Sequence, residues 1–183
     1  MDAIEALLSR VSVPVLGGPE ITSEQKEILM RAAARAADHA WLRPSRYLLI
    51  EGEGLAALGD VFAATEEHTA NAARLERLKS MPKRAPLIIV AICQPVTHAK
   101  VPEVEQHLST GAGVQNILNA AWALGLGAIW RTGELAYHPV VKHALGLSED
   151  ELLLGFVYVG HIQGAVKSVP EISDSSFWQA WEG

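Results

Sequence analysis

Short continuous apolar runs alternate along the chain with longer segments that have helical spacing. Four runs have the length and the β-branched or aromatic content of strands, at residues 46–51, 86–93, 126–131 and 152–161. The run at 86–93 (PLIIVAIC) contains no charged side chain, which is typical of a strand buried on both faces. The pattern therefore predicts a sheet in which the strand at 86–93 is buried on both faces.

The segments between these runs predict helices. Helical spacing covers five segments, namely 2–10, Thr22 to about Ala36, 55–81 in two pieces with a polar centre near 66–69, 102–125 and 138–145. At the start of the second segment, Thr22 is the expected N-cap and Gln25 its capping-box partner. Because the strands are apolar on both sides, we expect helices on both faces of the sheet. The pattern alone leaves the strand directions open.

Length and composition narrow the class of protein. A chain of 183 residues is expected to form one domain over residues 1–183. Its hydrophobic fraction of 49% and mean hydropathy of +0.15 are high for this size, which favours a subunit interface or a ligand pocket. The formal charge of -6 argues against a general nucleic-acid binder.

Location and redox chemistry are also constrained by composition. Cys93 is the single cysteine, so a disulfide framework within the chain is excluded. The acidic N-terminal residues lack the charge pattern of a signal peptide, and we expect a cytoplasmic protein. The uncharged stretch 108–130 contains polar residues and four glycines, which favours a buried helix and strand over a membrane span. No histidine has a recognised metal-ligand spacing, so we expect no metal site.

One glycine motif opens an alternative function. Residues 52–57 (GEGLAA) fit a form of the dinucleotide fingerprint and follow a predicted strand. A nucleotide pyrophosphate would rest there on the N-terminus of a helix, as in a Rossmann-like dehydrogenase. Glu53 places a negative charge in that turn, and no acidic residue ends a second strand about 20 positions later. A plain strand–turn–helix corner is therefore the favoured interpretation.

Two short basic motifs are candidate anion sites. Arg10 and Ser12 flank a helix end, and both can grip one phosphate. Arg131, Thr132 and Gly133 lie where an apolar strand meets a glycine turn, so a ligand can approach the backbone there. An arginine near a helix dipole and an ordinary exposed arginine are the respective alternatives.

A third basic motif is RAADH, at residues 35–39. Arg35 and His39 share one face if the helix continues that far. Asp38 could then orient the imidazole of His39 in an acid–base pair. The alternative is a helix C-terminus with basic residues near its dipole.

These pieces, in their order and spacing, resemble the small FMN-dependent nitroreductases that use NAD(P)H. The resemblance covers nearly the whole chain, through the segments MDAIEALLSRVS, RAAARAADH, RYLLIEGEG, RAPLIIVAIC, HAKVPEVEQHLSTGAGVQNILNAAWALGLGAIWRTG and LLLGFVYVGH. It implies an α+β fold: a three-layer sandwich with a central mixed, mostly antiparallel sheet flanked by helices, in an intertwined homodimer.

The resemblance also implies a cofactor and its ligands. Two FMN molecules would lie at the dimer interface, with Arg10, Val11, Ser12, Arg131, Thr132 and Gly133 from one subunit and Arg35 and His39 from its partner. The stretch associated with NAD(P)H is Ala121, Trp122, Ala123, Leu124, Gly125 and Leu126. The implied reaction is ping-pong reduction of an electron-poor acceptor, nitroaromatic or quinone-like, with the chemistry at flavin N5 and no catalytic side chain. A flavin protein for sensing or storage is the alternative.

The chain departs from the family pattern near the expected flavin. Val11 replaces the usual second arginine of the N-terminal motif, and Ala37 replaces a frequent proline. Trp41 adds a bulky group, and residues 43–45 (RPS) stand where the family often has Gln-Pro and an aromatic residue. The identity of the acceptor therefore stays open.

Overall fold

The uncharged apolar run at 86–93 forms an inner strand of an antiparallel sheet. The computed structural model describes residues 1–66, 70–169, 171 and 177–183. Its strands are β1 (Leu16–Gly17), β2 (Ser45–Glu51), β3 (Leu87–Cys93), β4 (Gly127–Arg131) and β5 (Leu152–Ile162). All seven residues of β3 are buried, as the uninterrupted apolar sequence predicts. β2 and β5 flank β3, and β4 and β1 pair with the other edge of β5.

Helices cover both faces of this sheet. They are α1 (Ala3–Ser9), α2 (Ser23–Ala33), α3 (Glu53–Ala64), α4 (Ala72–Ser80), α5 (Glu103–Ala123), α6 (Glu134–Tyr137) and α7 (Pro139–Ala144). One core lies between the sheet and α3, α4, α6 and α7, and the other between the sheet and α2 and α5. The predicted three-layer α+β arrangement is confirmed. Every strand pairing in the described residues is antiparallel, so the parallel component of a mixed sheet is not seen there.

The helix boundaries follow local sequence signals with one exception. Thr22 and Gln25 form the predicted capping box, with N···O distances of 3.2 and 3.0 Å. The exception is the end of α2, which stops at Ala33 rather than near Ala36. There the amides of Arg35 and Ala36 bond to the carbonyls three residues back, so the chain leaves the α-helical pattern.

Two further predictions concern longer segments. The segment 55–81 does form two helices, although residues 67–69 of its predicted polar centre lie outside the described residues. The uncharged stretch 108–130 is divided between α5 and β4, as predicted. Within the described ranges, no helix has both the length and the apolar character that crossing a bilayer requires.

Candidate functional site

The residues after α1 lie against β4. The helix ends at Ser9 with Arg10 as its C-cap, and the Val13 amide donates to the Ala128 carbonyl at 3.0 Å. The Trp122 indole of α5 donates to Ser9 Oγ at 2.8 Å, which ties the helix end to the body of the protein. Arg10 Nη1 is buried and has no hydrogen-bond partner among the described residues. A buried guanidinium nitrogen without an acceptor is costly, so Arg10 Nη1 is a candidate donor to a bound ligand.

Arg131 ends the same strand and has the same property. Its Nε is buried, and the structure gives that atom no partner in the part of the chain that it describes. The guanidinium carbon stands 5.6 Å from the centroid of the Tyr158 ring, a cation–π distance. We call residues 10–12 and 131–133 the β4-edge site. Two positively charged side chains with unused donors on one strand edge suit a phosphate.

Glycines shape the turn after Arg131. Gly133 has φ +81°, a conformation that a side chain disfavours, and it precedes α6. A Cβ on Gly155 would lie 2.5 Å from the Arg131 carbonyl oxygen, so β5 approaches the end of β4 very closely. Thr132 and Gly133 are exposed at this turn, where a ligand can reach the backbone.

Arg84 is another positively charged residue that acts on Tyr158. Burial raises the pKa of Tyr158, and the positive charges of Arg131 and Arg84 oppose that rise. Sequence reasoning missed Arg84, although a basic residue at the entry to a buried strand was visible. In the described part of the chain none of Arg10, Arg84 and Arg131 pairs with a carboxylate, whereas Arg46 and Arg74 do. In a chain of charge -6, Arg84 and Arg131 thus concentrate positive charge around Tyr158.

A second site lies between the end of α2 and β2. A cleft of about 720 Å³ opens there, and we call it the loop cleft. Its lining comes from the loop between the two elements and from their neighbours, namely Met30, Ala33, Ala34, Arg35, Ala36, Ala37, Asp38, Trp41, Arg43, Pro44, Ser45, Tyr47 and Ser109. Three loop residues other than glycine have positive φ: Ala40 at 62°, Trp41 at 56° and Arg43 at 50°. Such backbone strain persists only where the surroundings impose it.

The candidate acid–base pair of Asp38 with His39 is not formed in the structure. The Asp38 carboxylate accepts from the amides of Leu42 and Arg43 at 3.2 and 2.7 Å, so it closes the strained turn. His39 Nδ1 instead lies 2.6 Å from Glu105 Oε2, on α5. Because α2 ends at Ala33, Arg35 and His39 do not share a helix face either.

The structure does not gather all the predicted residues in one place. Arg35 lines the loop cleft, while Arg10, Ser12 and Arg131 do not. Val11 is partly buried beside Arg10. One chain thus holds the predicted residues at two separate places, on different elements.

The stretch 121–126 has a structural role. The Leu126 amide donates to the Ala121 carbonyl and the Gly125 amide to the Trp122 carbonyl, at 2.9 Å each, which is the Schellman pattern that ends α5. Ala121 and Leu126 are buried in the core, so these two side chains offer a nucleotide no surface. Ala123 and Gly125 are the exposed members of the stretch, and Leu124 is partly buried.

The glycine fingerprint at 52–57 is the corner between β2 and α3. β2 runs antiparallel to its neighbour β3, whereas a dinucleotide fold needs a parallel strand–helix–strand unit. This geometry argues against the Rossmann-like dehydrogenase.

The family model and the similar proteins of known sequence agree on one family. The family model described as Nitroreductase family matches residues 8–161. A protein of Escherichia coli (strain K12), provisionally named NAD(P)H nitroreductase YdjA, is 39% identical over 165 residues, which are 87% of this chain and 88% of that protein. A provisionally named NAD(P)H nitroreductase of Haemophilus influenzae is 34% identical over 163 residues, with the same coverage.

Solved structures show the same fold. A nitroreductase-like family protein from Bacillus cereus superposes with a TM-score of 0.89, at 23% identity, over 100% of this chain and 97% of that one. A nitroreductase-type protein from Desulfovibrio desulfuricans, solved in complex with FMN, gives a TM-score of 0.76 at 23% identity, over 99% and 98% of the two chains.

Proposed function

Because the chain belongs to the nitroreductase family, we propose that it is an FMN-dependent oxidoreductase, which takes hydride from NAD(P)H and reduces an electron-poor acceptor, nitroaromatic or quinone-like. The observation that carries the proposal is the pair of buried, unpartnered guanidinium nitrogens, Arg10 Nη1 and Arg131 Nε, at the β4-edge site. An anionic cofactor would supply the missing acceptors. The FMN complex of the Desulfovibrio desulfuricans protein supports the choice of FMN.

The protein's own part in this chemistry is binding and orientation. Arg10 and Arg131 would hold the phosphate and ribityl region, with the Ser12 hydroxyl and the backbone of Thr132 and Gly133 beside them. When bound, FMN would supply the hydride-accepting redox chemistry of the reaction. Reduction of a nitro group to nitroso takes two electrons and two protons and releases one oxygen as water. The hydride of NAD(P)H supplies the electron pair and one proton equivalent, and the second proton comes from solvent. The chain needs no nucleophile for this sequence.

We further propose a homodimer in which Arg35 and His39 act on the partner subunit's FMN. The separation of these residues in one chain supports this, because Arg35 lines the loop cleft whereas Arg10, Ser12 and Arg131 do not. Exposed apolar side chains on α1 and α5 also support an interface, namely Ile4, Leu7, Leu8, Val104 and Leu108.

The first experiment is spectroscopic. Purified protein should be yellow, retain FMN in a ratio of one per chain, and bleach when NADH or NADPH is added without oxygen. Titration with each nucleotide identifies the preferred donor. A colourless protein that fails to bind added FMN would contradict the proposal. Bleaching without reoxidation by any nitroaromatic or quinone would instead favour sensing or storage, to which the unusual loop around Trp41 and Arg43 also points.

The shared site has its own test in mixed dimers. Chains carrying Arg131→Ala and chains carrying Arg35→Ala are each expected to bind FMN weakly. In the mixed dimer, one site has both changes and the other has neither, so tight binding should return at half of the sites. If mixing restores nothing, each site is built from one chain.

A further inference from the structure

The loop cleft contains positive charge without an acidic partner. Arg35 and Arg43 both line it, and neither guanidinium makes an ion pair with any residue that the structure describes. Asp38 is the acidic residue of the lining, and both its oxygens accept hydrogen bonds from backbone amides. The carboxylate charge is thereby dispersed, so the cleft remains suited to an anion.

The same loop holds an indole ring out of the core. Trp41 is 79% exposed, on a backbone with φ 56°. Three interactions fix the loop, namely Asp38 with the amides of 42 and 43, His39 with Glu105, and Ser45 Oγ with Thr110 Oγ1 at 3.0 Å. A large exposed aromatic side chain on a strained but anchored backbone is typical of a binding loop.

We propose that the loop cleft binds the electron acceptor and selects a planar aromatic molecule that carries an anionic group, such as a carboxylate or a sulfonate. Trp41 stacks on the ring, and Arg43 pairs with the anionic group through its two parallel N–H donors. The cleft volume of about 720 Å³ fits a small aromatic ligand. This inference rests on the proposed function, because it names the substrate class of the same enzyme. Arg35 keeps its proposed role in binding the partner subunit's FMN.

The test compares acceptors that differ mainly in charge: 4-nitrobenzoate, nitrobenzene and 4-nitrobenzyl-trimethylammonium. The variants are Arg43→Asn and Arg43→Asp, because asparagine and aspartate tolerate a positive φ better than other residues. Arg31→Asn is the matched control, since Arg31 is an exposed arginine of α2 outside the cleft. For each protein, kcat/KM for an acceptor is divided by the value for nitrobenzene, so that the charge preference of the variants can be compared with that of the parent.

We expect the parent to prefer 4-nitrobenzoate. That preference should fall about tenfold in Arg43→Asn, and in Arg43→Asp it should turn toward the cationic acceptor. Calorimetry with benzoate, which is not reduced, should show about tenfold weaker binding to flavin-loaded Arg43→Asn and unchanged binding to Arg31→Asn. Trp41→Ala should weaken benzoate and benzamide alike, because stacking does not depend on charge.

The two proposals fail in different ways. Suppose that FMN binds and NAD(P)H bleaches it, but Arg43→Asn has the parent's charge preference and benzoate affinity. The inference about the acceptor is then overturned, whereas the proposed FMN-dependent oxidoreductase is still supported. If the parent binds no FMN, the proposed function itself is wrong. Retention of FMN by the Arg43 variants shows that they are folded, so a lost preference then reflects the changed side chain.

Discussion

The β4-edge site and the loop cleft present cationic groups in opposite ways. At the β4 edge, packing against the sheet buries Arg10 Nη1 and Arg131 Nε. At the loop cleft, Arg43 and Trp41 are exposed on a strained turn that a few hydrogen bonds hold. The buried groups are costly without a ligand, so they suit a resident cofactor. The exposed groups cost little when empty, so they suit a molecule that binds and leaves.

The largest expected effect tests the buried side of this comparison. Arg131→Ala removes a charge-assisted contact and should weaken FMN binding about a hundredfold. The measurement is quenching of FMN fluorescence by the apoprotein. Arg77→Ala, which changes an exposed arginine near the end of α4, is the control and should bind FMN as the parent does. Unchanged affinity in Arg131→Ala would remove Arg131 from the site.

The second prediction concerns the ion pair that connects the strands on either side of β3. Arg46 of β2 bonds through Nε and Nη2 to the two oxygens of Glu151, just before β5, at 2.6 and 2.8 Å. Glu151→Gln should lower the free energy of unfolding by about 2 kcal/mol at neutral pH, measured by urea denaturation.

The pH dependence of this pair has a definite sign. The Arg46 hydrogen bond lowers the pKa of Glu151 to about 2. Its stabilising contribution is therefore complete above the ordinary carboxyl range and is lost as the pH falls toward about 2. The difference between the parent and Glu151→Gln should shrink along that path. A difference that stays constant with pH would contradict the assignment.

A smaller effect is expected where α5 meets the loop cleft. A Cβ on Gly113 would lie 2.3 Å from the hydroxyl oxygen of Tyr47, which lines the cleft. Gly113→Ala should destabilise the protein by about 1.5 kcal/mol, because the clash outweighs the gain in helix propensity. Adding Tyr47→Phe should restore most of that loss. Gly111→Ala is the control, since its Cβ would meet nothing closer than 4.0 Å.

The smallest expected change in stability is at His39, where FMN binding and stability can be measured separately. The His39–Glu105 pair is solvent-exposed, so His39→Ala should change the free energy of unfolding by less than about 1 kcal/mol. FMN binding should nevertheless weaken if His39 reaches the partner subunit's cofactor. Thermal unfolding and FMN titration on the same sample measure both. A large stability loss with intact FMN affinity would make His39 a structural residue.

The sequence predicted what depends on local pattern. The apolar run of β3 and the Thr22–Gln25 capping box are local signals, and both were confirmed. The end of α2 and the partner of Asp38 could not be read in this way. The end of α2 follows from the hydrogen bonds of Arg35 and Ala36 to carbonyls three residues back. The partners of Asp38 follow from the turn with positive φ at Ala40, Trp41 and Arg43, which these residue types rarely adopt. The burial of Ala121 and Leu126 depends on how α5 packs, which composition does not fix.

The central position of β3 also bears on amide hydrogen exchange. Its amides lie between β2 and β5 with every side chain buried, so they should exchange last, only through global opening. The loop cleft adjoins β2, which pairs with one edge of β3. The β4-edge site adjoins β4, which is connected to the other edge of β3 through β5. Local opening of the strained loop should therefore label amides around 38–45 while leaving those of β4 protected.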